Sequence, residues 1–329
     1  MRLVYAGTGG FAMAAFEALV DSLHRPVALI TQPDKPGSSP RNSSRLVGLG
    51  LKGPALKKGV PIHQPQSIND PEGIALLEKL APDLLVVAAY GQILSQKALS
   101  IPRLGCINLH ASLLPRHRGA SPIAHAILAG DAETGVSVIR MTAGLDAGEV
   151  IGMVKTAIEP DETAESLENR LSIMAAQLAL VAVEEIAQNT VKGIAQDPVL
   201  VTKAPRLKKE AGNIDWKKST AEILRQIRAM QPWPTAFTFR ERLGSSPNRL
   251  QIIKATPALN LDNNLDNNSP PGTLYFTESK GQDLIVKTGD GALNLLLIQP
   301  AGKSPMSAPD YLRGNPIAIG DRLSMVFEA

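Results

Sequence analysis

The chain has 329 residues, 44% of them hydrophobic, enough for two domains each with its own core. No apolar run reaches the roughly 18–20 residues of a membrane span, and the single cysteine, Cys106, excludes an internal disulfide framework and fits a reducing cytoplasm. A formal net charge of +3 is slight, so its distribution carries more information than its size.

The opening "MRLVYAGTGG" runs directly into a strand–turn pattern and has no secretory leader, which again points to the cytoplasm. "RLVYAG" reads as a short buried strand, "FAMAAFEALVDSL" has helical spacing, and "PVALITQ" is a second strand. After a Pro/Gly/Ser-rich loop come a helix ("PEGIALLEKL"), two strands ("DLLVVAA", "CINLHA"), a helix ("PIAHAILAG") and a strand ("GVSVIRMT"). Apolar strands alternating with helices predict an α/β domain with a parallel sheet covered on both faces. A helix from about Ala164 to Gln188 closes this first domain, at about residue 189, and residues 190–205 read as a linker. Beyond it, one helix ("TAEILRQIRAM") precedes short strands with turn signals: "AFTFR", "LQIIKA", "GTLYFT", "DLIVKTGDGALNLLLIQPAG" and "RLSMVF". That pattern predicts a small, mostly antiparallel β-barrel over 206–329, with "NLDNNLDNNSPPG" as a turn-rich loop.

The basic residues are clustered. Residues 35 to 58 hold six (Lys35, Arg41, Arg45, Lys52, Lys57, Lys58) and no acidic residue, and residues 203 to 228 hold eight basic against three acidic, on a remainder that is net acidic. Two such patches suit a polyanionic partner; the plainer alternative is a pair of solvated loops.

Three features could carry chemistry. Gly7, Gly9 and Ala12 match G-x-G-x-x-A, but the second strand ends at Gln32 where a dinucleotide fingerprint wants an acidic residue, so a simple glycine turn into a helix is the better reading. Cys106 could supply a thiolate, but a small core residue at a strand start is commoner. His110, His117 and His125 are too far apart for a compact metal site, and no metal is expected. The third feature is "CINLHASLLPRHRGASPI". Strand alternation sends Ile107 and Leu109 one way and Asn108 and His110 the other. At the carboxyl end of a strand in such a sheet, that second face borders the ligand crevice. A fixed amide donor beside a proton carrier suits acyl transfer, and "TAGLDAGEV" offers a carboxylate, Asp146, to orient the imidazole. An ordinary turn aspartate is the alternative for Asp146 alone.

"INLHASLLPRHRGASPI" with "GLDAGEV" resembles the folate-dependent formyltransferase family, whose pattern is Asn-x-His, then Ser-Leu-Leu-Pro, then Asp in a Leu-Asp-x-Gly turn. The likeness extends over nearly the whole chain. "TQPDKP", "AAYGQIL", "APRLKKEAGNIDW" and "PWPTAF" resemble in particular the members that formylate methionyl-tRNA. The resemblance implies a Rossmann-like catalytic domain with a mostly parallel sheet, followed by an OB-like barrel. It implies transfer of a formyl group from 10-formyltetrahydrofolate to the amine of initiator methionyl-tRNA, by a monomer that uses no metal. Asn108, His110 and Asp146 would then be catalytic. Ser112, Leu113, Leu114 and Pro115, with Tyr90, Gly91 and Ile93, would shape the folate pocket, while Lys35, Arg41, Arg45, Arg206, Lys208 and Lys209 would hold the tRNA. The chain departs from the family pattern at "GSSPRNSSRL", at Ser95, at His117 and at Thr235. A small amine, such as that of an amino-sugar nucleotide, is the alternative acceptor; a single-domain glycinamide ribonucleotide enzyme and a catalytically dead tRNA-binding module fit less well.

Overall fold

The computed structural model describes residues 1–34, 50–242, 245–258, 268–277, 283–318 and 321–325. Lys35, Arg41 and Arg45, with most of the loop around them, and residues 259–267 of the Asn/Asp-rich stretch lie outside the described residues. The chain separates into two compact units: one of residues 1–126, 132–158 and 166–206, and one of residues 127–131, 159–165 and 207–329. Among the described residues no helix is long and apolar enough to cross a membrane.

The first unit is built on a sheet of β1 (Leu3–Gly7), β2 (Pro26–Ile30), β3 (Ile62–His63), β4 (Leu84–Ala88), β5 (Cys106–His110), β6 (Glu133–Arg140) and β7 (Val150–Ala157), in the order β3-β2-β1-β4-β5-β6-β7. β3 to β5 pair in parallel through β2, β1 and β4. β6 runs antiparallel to β5, and β7 antiparallel to β6. The sheet is thus mixed at one end. An apolar run such as "GVSVIRMT" signals burial on both faces but not strand direction, and β7 alternates buried and open positions around Gly152 too weakly to be read in advance.

Alternation along β1 sorts the core. Val4 and Ala6 face a cluster with Ile30, Leu85 and Val87, covered by Ile74 and Leu77 of α3 (Pro71–Leu80). Tyr5 packs on Phe16 of α1 (Met13–Val20), with ring centroids 5.3 Å apart, and its hydroxyl donates to Ala12 O at 2.8 Å. Each fully buried Leu, Ile or Phe of this kind stabilises the fold by about 1.5–3 kcal/mol. The helix α6 (Ala164–Ala187) buries Leu167, Leu171, Ala175, Ala179 and Val183, a stripe at intervals of four. Residues read from sequence as a linker pair with this unit: Ile194 bridges Val150 and Lys203 bridges Arg118.

The second unit begins with α7 (Thr220–Ala229), whose start is fixed by a reciprocal capping box between Ser219 and Glu222. Strands β8 (Phe237–Arg242), β9 (Ser245–Pro257), β10 (Leu274–Thr277), β11 (Asp283–Lys287), β12 (Ala292–Pro300) and β14 (Arg322–Ser324) follow in the order β10-β11-β12-β9-β8-β14, with the short β13 (Met306–Ser307) paired to β12. An antiparallel bridge between Thr273 and Arg322 joins the two ends of this order and closes the barrel. Closure is how a small antiparallel sheet covers its own edges. Inside it Trp216 Nε1 donates to the buried Thr238 hydroxyl at 2.9 Å.

Candidate active site

β5 is paired on both sides, with Asn108 opposite Val87 of β4 and opposite Ile139 of β6, and His110 opposite Ser137. Pairing on both sides locks the register, so Asn108 and His110 leave the strand on one face, two residues apart. His110 is 5% exposed. Its Nε2 lies 2.9 Å from the backbone oxygen of His117, in the turn after β5. A carbonyl only accepts, so Nε2 carries the hydrogen and Nδ1 is the nitrogen free to take a proton. Nδ1 stands 3.6 Å from Asp146 Oδ2.

Asp146 occupies the turn between β6 and β7 with φ 49°, a left-handed conformation that Asp tolerates better than most residues. The chain can turn back there because a Cβ on Gly148 would stand 1.7 Å from the backbone oxygen of Arg140. Asp146 Oδ2 accepts from the Gly119 amide at 2.8 Å, and Oδ1 lies 3.4 Å from Asn108 Nδ2. Gly119 is itself pinned, since a Cβ on it would meet Ala204 O at 2.4 Å. Asp146 therefore faces both Asn108 and His110, and the structure brings the three together from three segments.

Burial pulls the His110 pKa below the usual imidazole range; the Asp146 charge and the His117 carbonyl act the other way, favouring the charged imidazole, but only partly offset it. The resting group is a neutral imidazole with its basic nitrogen toward a carboxylate.

The expected folate residues divide. Ser112 is fully buried and donates its hydroxyl to Arg116 O at 2.7 Å, so it shapes its own turn. That turn also rests on Ser137, fully buried on β6, which donates to Ser112 O at 2.7 Å and accepts from Leu114 N at 3.1 Å. Leu114 is buried, while Leu113 and Pro115 are half-buried. The Tyr90 side chain lies in the core with Val4 and Ile30; what it presents at the end of β4 is its carbonyl, which accepts from Gln32 Nε2 at 3.0 Å. Gly91 and Ile93 are exposed, Ile93 to 74%. Arg206, Lys208 and Lys209 are exposed.

The rejected readings have structural counterparts. At the glycine turn after β1, where a dinucleotide phosphate would meet the helix N-terminus, Glu168 Oε1 accepts the Phe11 amide at 2.9 Å. A carboxylate there repels an anion. Burial pushes the Cys106 thiol up to about 12, and it packs in the core, which leaves no thiolate at neutral pH. Among the described residues no three of His, Cys, Asp or Glu group as metal ligands would, and the His125 ring donates to Ser121 O, just before its helix.

The sequence reading missed Gln196, Arg118 and Ser137. Gln196 Nε2 donates to the backbone oxygens of Asp146 and Gly148 at 2.8 and 2.7 Å, and its Oε1 accepts from Arg118 Nε and Nη2 at 3.1 and 2.8 Å. No local pattern marks such a residue, because its partners are backbone groups 48 and 50 positions away.

Comparison with known proteins gives the family of the chain. The family profile described as Formyl transferase matches residues 1–183, and that described as Formyl transferase, C-terminal domain, matches residues 206–316. The chain belongs to the formyltransferase family. It is 40% identical over 323 residues to the methionyl-tRNA formyltransferase of Methylococcus capsulatus, covering 98% of this chain and 99% of that one. Among solved structures, this formyltransferase shares its fold with the N-formyltransferase of Helicobacter canadensis in complex with folinic acid and dTDP-3-aminofucose (TM-score 0.63, 20% identity, 91% of this chain and 99% of that chain). It also shares it with HypX of Aquifex aeolicus in complex with tetrahydrofolic acid (TM-score 0.61, 16% identity), of which it spans 47% while 95% of this chain is covered.

Proposed function

We propose that this formyltransferase transfers the formyl group of 10-formyltetrahydrofolate to the amino group of initiator methionyl-tRNA. The observation that carries the reading is the convergence of Asn108, His110 and Asp146 at the strand ends of a chain that matches a methionyl-tRNA formyltransferase from end to end.

The residues perform the chemistry as follows. The acceptor amine must be neutral to add to the formyl carbon. As the new C–N bond forms, the formyl oxygen gains charge, and Asn108 Nδ2 donates to it. Its 3.4 Å contact to Asp146 is long enough to be exchanged for that oxygen. His110 Nδ1 takes the proton released by the amine, and Asp146 stabilises the imidazolium. The same proton is handed to the folate nitrogen as its bond to the formyl carbon breaks, so charge and protons balance. The formyl donor would rest against the backbone and apolar groups at Gly91, Ile93 and Leu113. Arg206, Lys208 and Lys209, with Lys35, Arg41 and Arg45, would neutralise tRNA phosphates.

The test offers purified protein 10-formyltetrahydrofolate with initiator methionyl-tRNA, elongator methionyl-tRNA or a dTDP-amino sugar. Formylation of the initiator tRNA at a kcat/KM well above the others is expected; formylation of the sugar alone would replace this reading with the small-amine one. Lys208→Ala with Lys209→Ala should flatten the log–log salt dependence of tRNA binding by roughly 0.7–0.9 for each phosphate that is no longer neutralised.

A further inference from the structure

His110 has two ring nitrogens, and each is served by a different turn. The turn after β5 offers the His117 carbonyl to Nε2, and the turn between β6 and β7 holds Asp146 near Nδ1. Neither turn is part of a helix or strand, and both contain left-handed residues, His117 at φ 59° and Asp146 at φ 49°. Something must set the distance between them. Two side chains span them: Asp146 itself, whose Oδ2 accepts the Gly119 amide at 2.8 Å, and Gln196. The Gln196 amide nitrogen donates to the backbone on either side of Ala147, at Asp146 and Gly148, and its oxygen receives the fork of Arg118, the residue next to His117. These partners fix which end of the amide is which, since two carbonyls need the NH2 and a guanidinium needs the oxygen.

The backbone around Gln196 continues the stitch. Ile194 exchanges two hydrogen bonds with Val150, at 2.9 Å each. Thr202 accepts the His117 amide on its hydroxyl at 2.8 Å and the Arg118 amide on its carbonyl at 2.9 Å. Residues 194–204 thus form a strap that runs from the Asp146 turn to the His117 turn, with Gln196 at the crossing.

We propose that Gln196 is a positioning residue, holding the Asp146 turn and the Arg116–Gly119 turn at the spacing that lets Asn108, His110 and Asp146 act together. The inference rests on the formyl-transfer reading of that triad. It follows from the contact lengths: at 3.4 and 3.6 Å Asp146 is not fixed through Asn108 or His110, so it is held by the Gly119 amide on its carboxylate and, from behind, by Gln196 on the backbone of its turn. Loss of Gln196 would let the carboxylate drift from His110 without removing any group that touches substrate.

The experiment compares Gln196→Ala, Gln196→Glu and wild type in full-length protein, with turnover normalised to folded protein by near-UV circular dichroism. Gln196→Ala should lower kcat by about 10-fold or more, as displacement of a catalytic group by an ångström does, while KM for the formyl donor changes by less than about twofold. Gln196→Glu keeps an acceptor for Arg118 but has no hydrogen to give the Asp146 and Gly148 carbonyls, so it should be as slow as Gln196→Ala. The titratable groups facing His110 are Asp146, from the turn between β6 and β7, and His117, from the turn after β5. Because Asp146 raises the proton affinity of His110, a displaced Asp146 should move the acid limb of kcat to lower pH in both variants. A Gln196→Ala enzyme with unchanged kcat and pH profile overturns the proposal. So does a Gln196→Glu enzyme with wild-type turnover, or a deficit that vanishes on normalisation. If wild type formylates a different amine, the same comparison runs with that amine, so failure of the substrate reading and failure of this one are distinguishable.

Discussion

The turns around His110 and the barrel of the second unit treat buried polar groups in opposite ways. In the barrel, Arg240 is 3% exposed and its guanidinium donates to the Tyr311 hydroxyl at 3.0 Å, to the Asn315 and Pro316 carbonyls at 3.0 and 2.8 Å, and to Asp321 at 2.5 Å. These are short contacts that tie three segments into one unit. At the site, the contacts among Asn108, His110 and Asp146 are 3.4 and 3.6 Å, and the tight bonds all go outward, to His117, Gly119 and Gln196. A densely bonded polar cluster holds a fold. A slack one, braced from outside, keeps donor and acceptor capacity for a reacting molecule, and that difference separates residues of function from residues of stability.

Substitutions should therefore fall into two classes, and the largest effect belongs to the site. In the proposed mechanism His110 is the proton acceptor, so His110→Ala should lower kcat by about 10²–10⁴, and His110→Ala with Asp146→Ala should cost little more than the worse single change, because that mechanism has the two act on one proton. Steady-state rates of both singles and the double check this; fully multiplicative losses would separate Asp146 from His110. In the barrel, Asp321→Ala strands a buried guanidinium and should cost about 3–5 kcal/mol of stability in denaturant unfolding. Turnover per folded molecule should stay near wild type, and a large specific loss of turnover would break the division. Asn108→Ala sharpens it from the other side: a fall in kcat of about 10²–10³ with an unchanged unfolding midpoint. A lower midpoint with intact turnover would make Asn108 a structural residue.

Much of this was legible because it is local. Strand alternation placed Asn108 and His110 on one face, and the glycines around "LDAG" marked a turn that could carry Asp146. What escaped was non-local. The β6 strand reverses direction, and no residue pattern encodes direction. Gln196 lies in a segment that reads as a tether, yet its side chain bonds only to groups far away in sequence. The resemblance put the strand end at Tyr90 in the folate pocket, but did not give which part of the residue would face it; packing with Ile68 and Leu94 takes the side chain into the core and leaves the backbone at the end of β4. The sign of the His110 shift was also out of reach, because the Asp146 charge was visible in the sequence and the depth of burial was not.

The smallest effect tests that sign directly. In the folded protein burial holds the His110 pKa below its unfolded value of about 6.5, so the unfolded chain binds the proton more readily. The contribution of neutral His110 to stability is then complete above about pH 6.5. It shrinks as pH falls from there toward the depressed folded pKa, and below that it changes no further. His63, on β3, is shifted in the same direction by burial and then by Lys79, so total stability cannot isolate His110. The difference between wild type and His110→Gln can, since His63 is common to both. That difference should favour wild type most near neutral pH and narrow on acidification below about 6.5. Asp146→Asn sharpens the test: without the carboxylate the imidazole loses the charge that raised its proton affinity, its pKa falls further, and the narrowing should extend to lower pH. Urea unfolding of the three proteins between neutral and mildly acidic pH gives the answer. A difference that widens on acidification would mean that Asp146 outweighs burial and that His110 rests as an imidazolium, which would reverse its role from proton acceptor to proton donor.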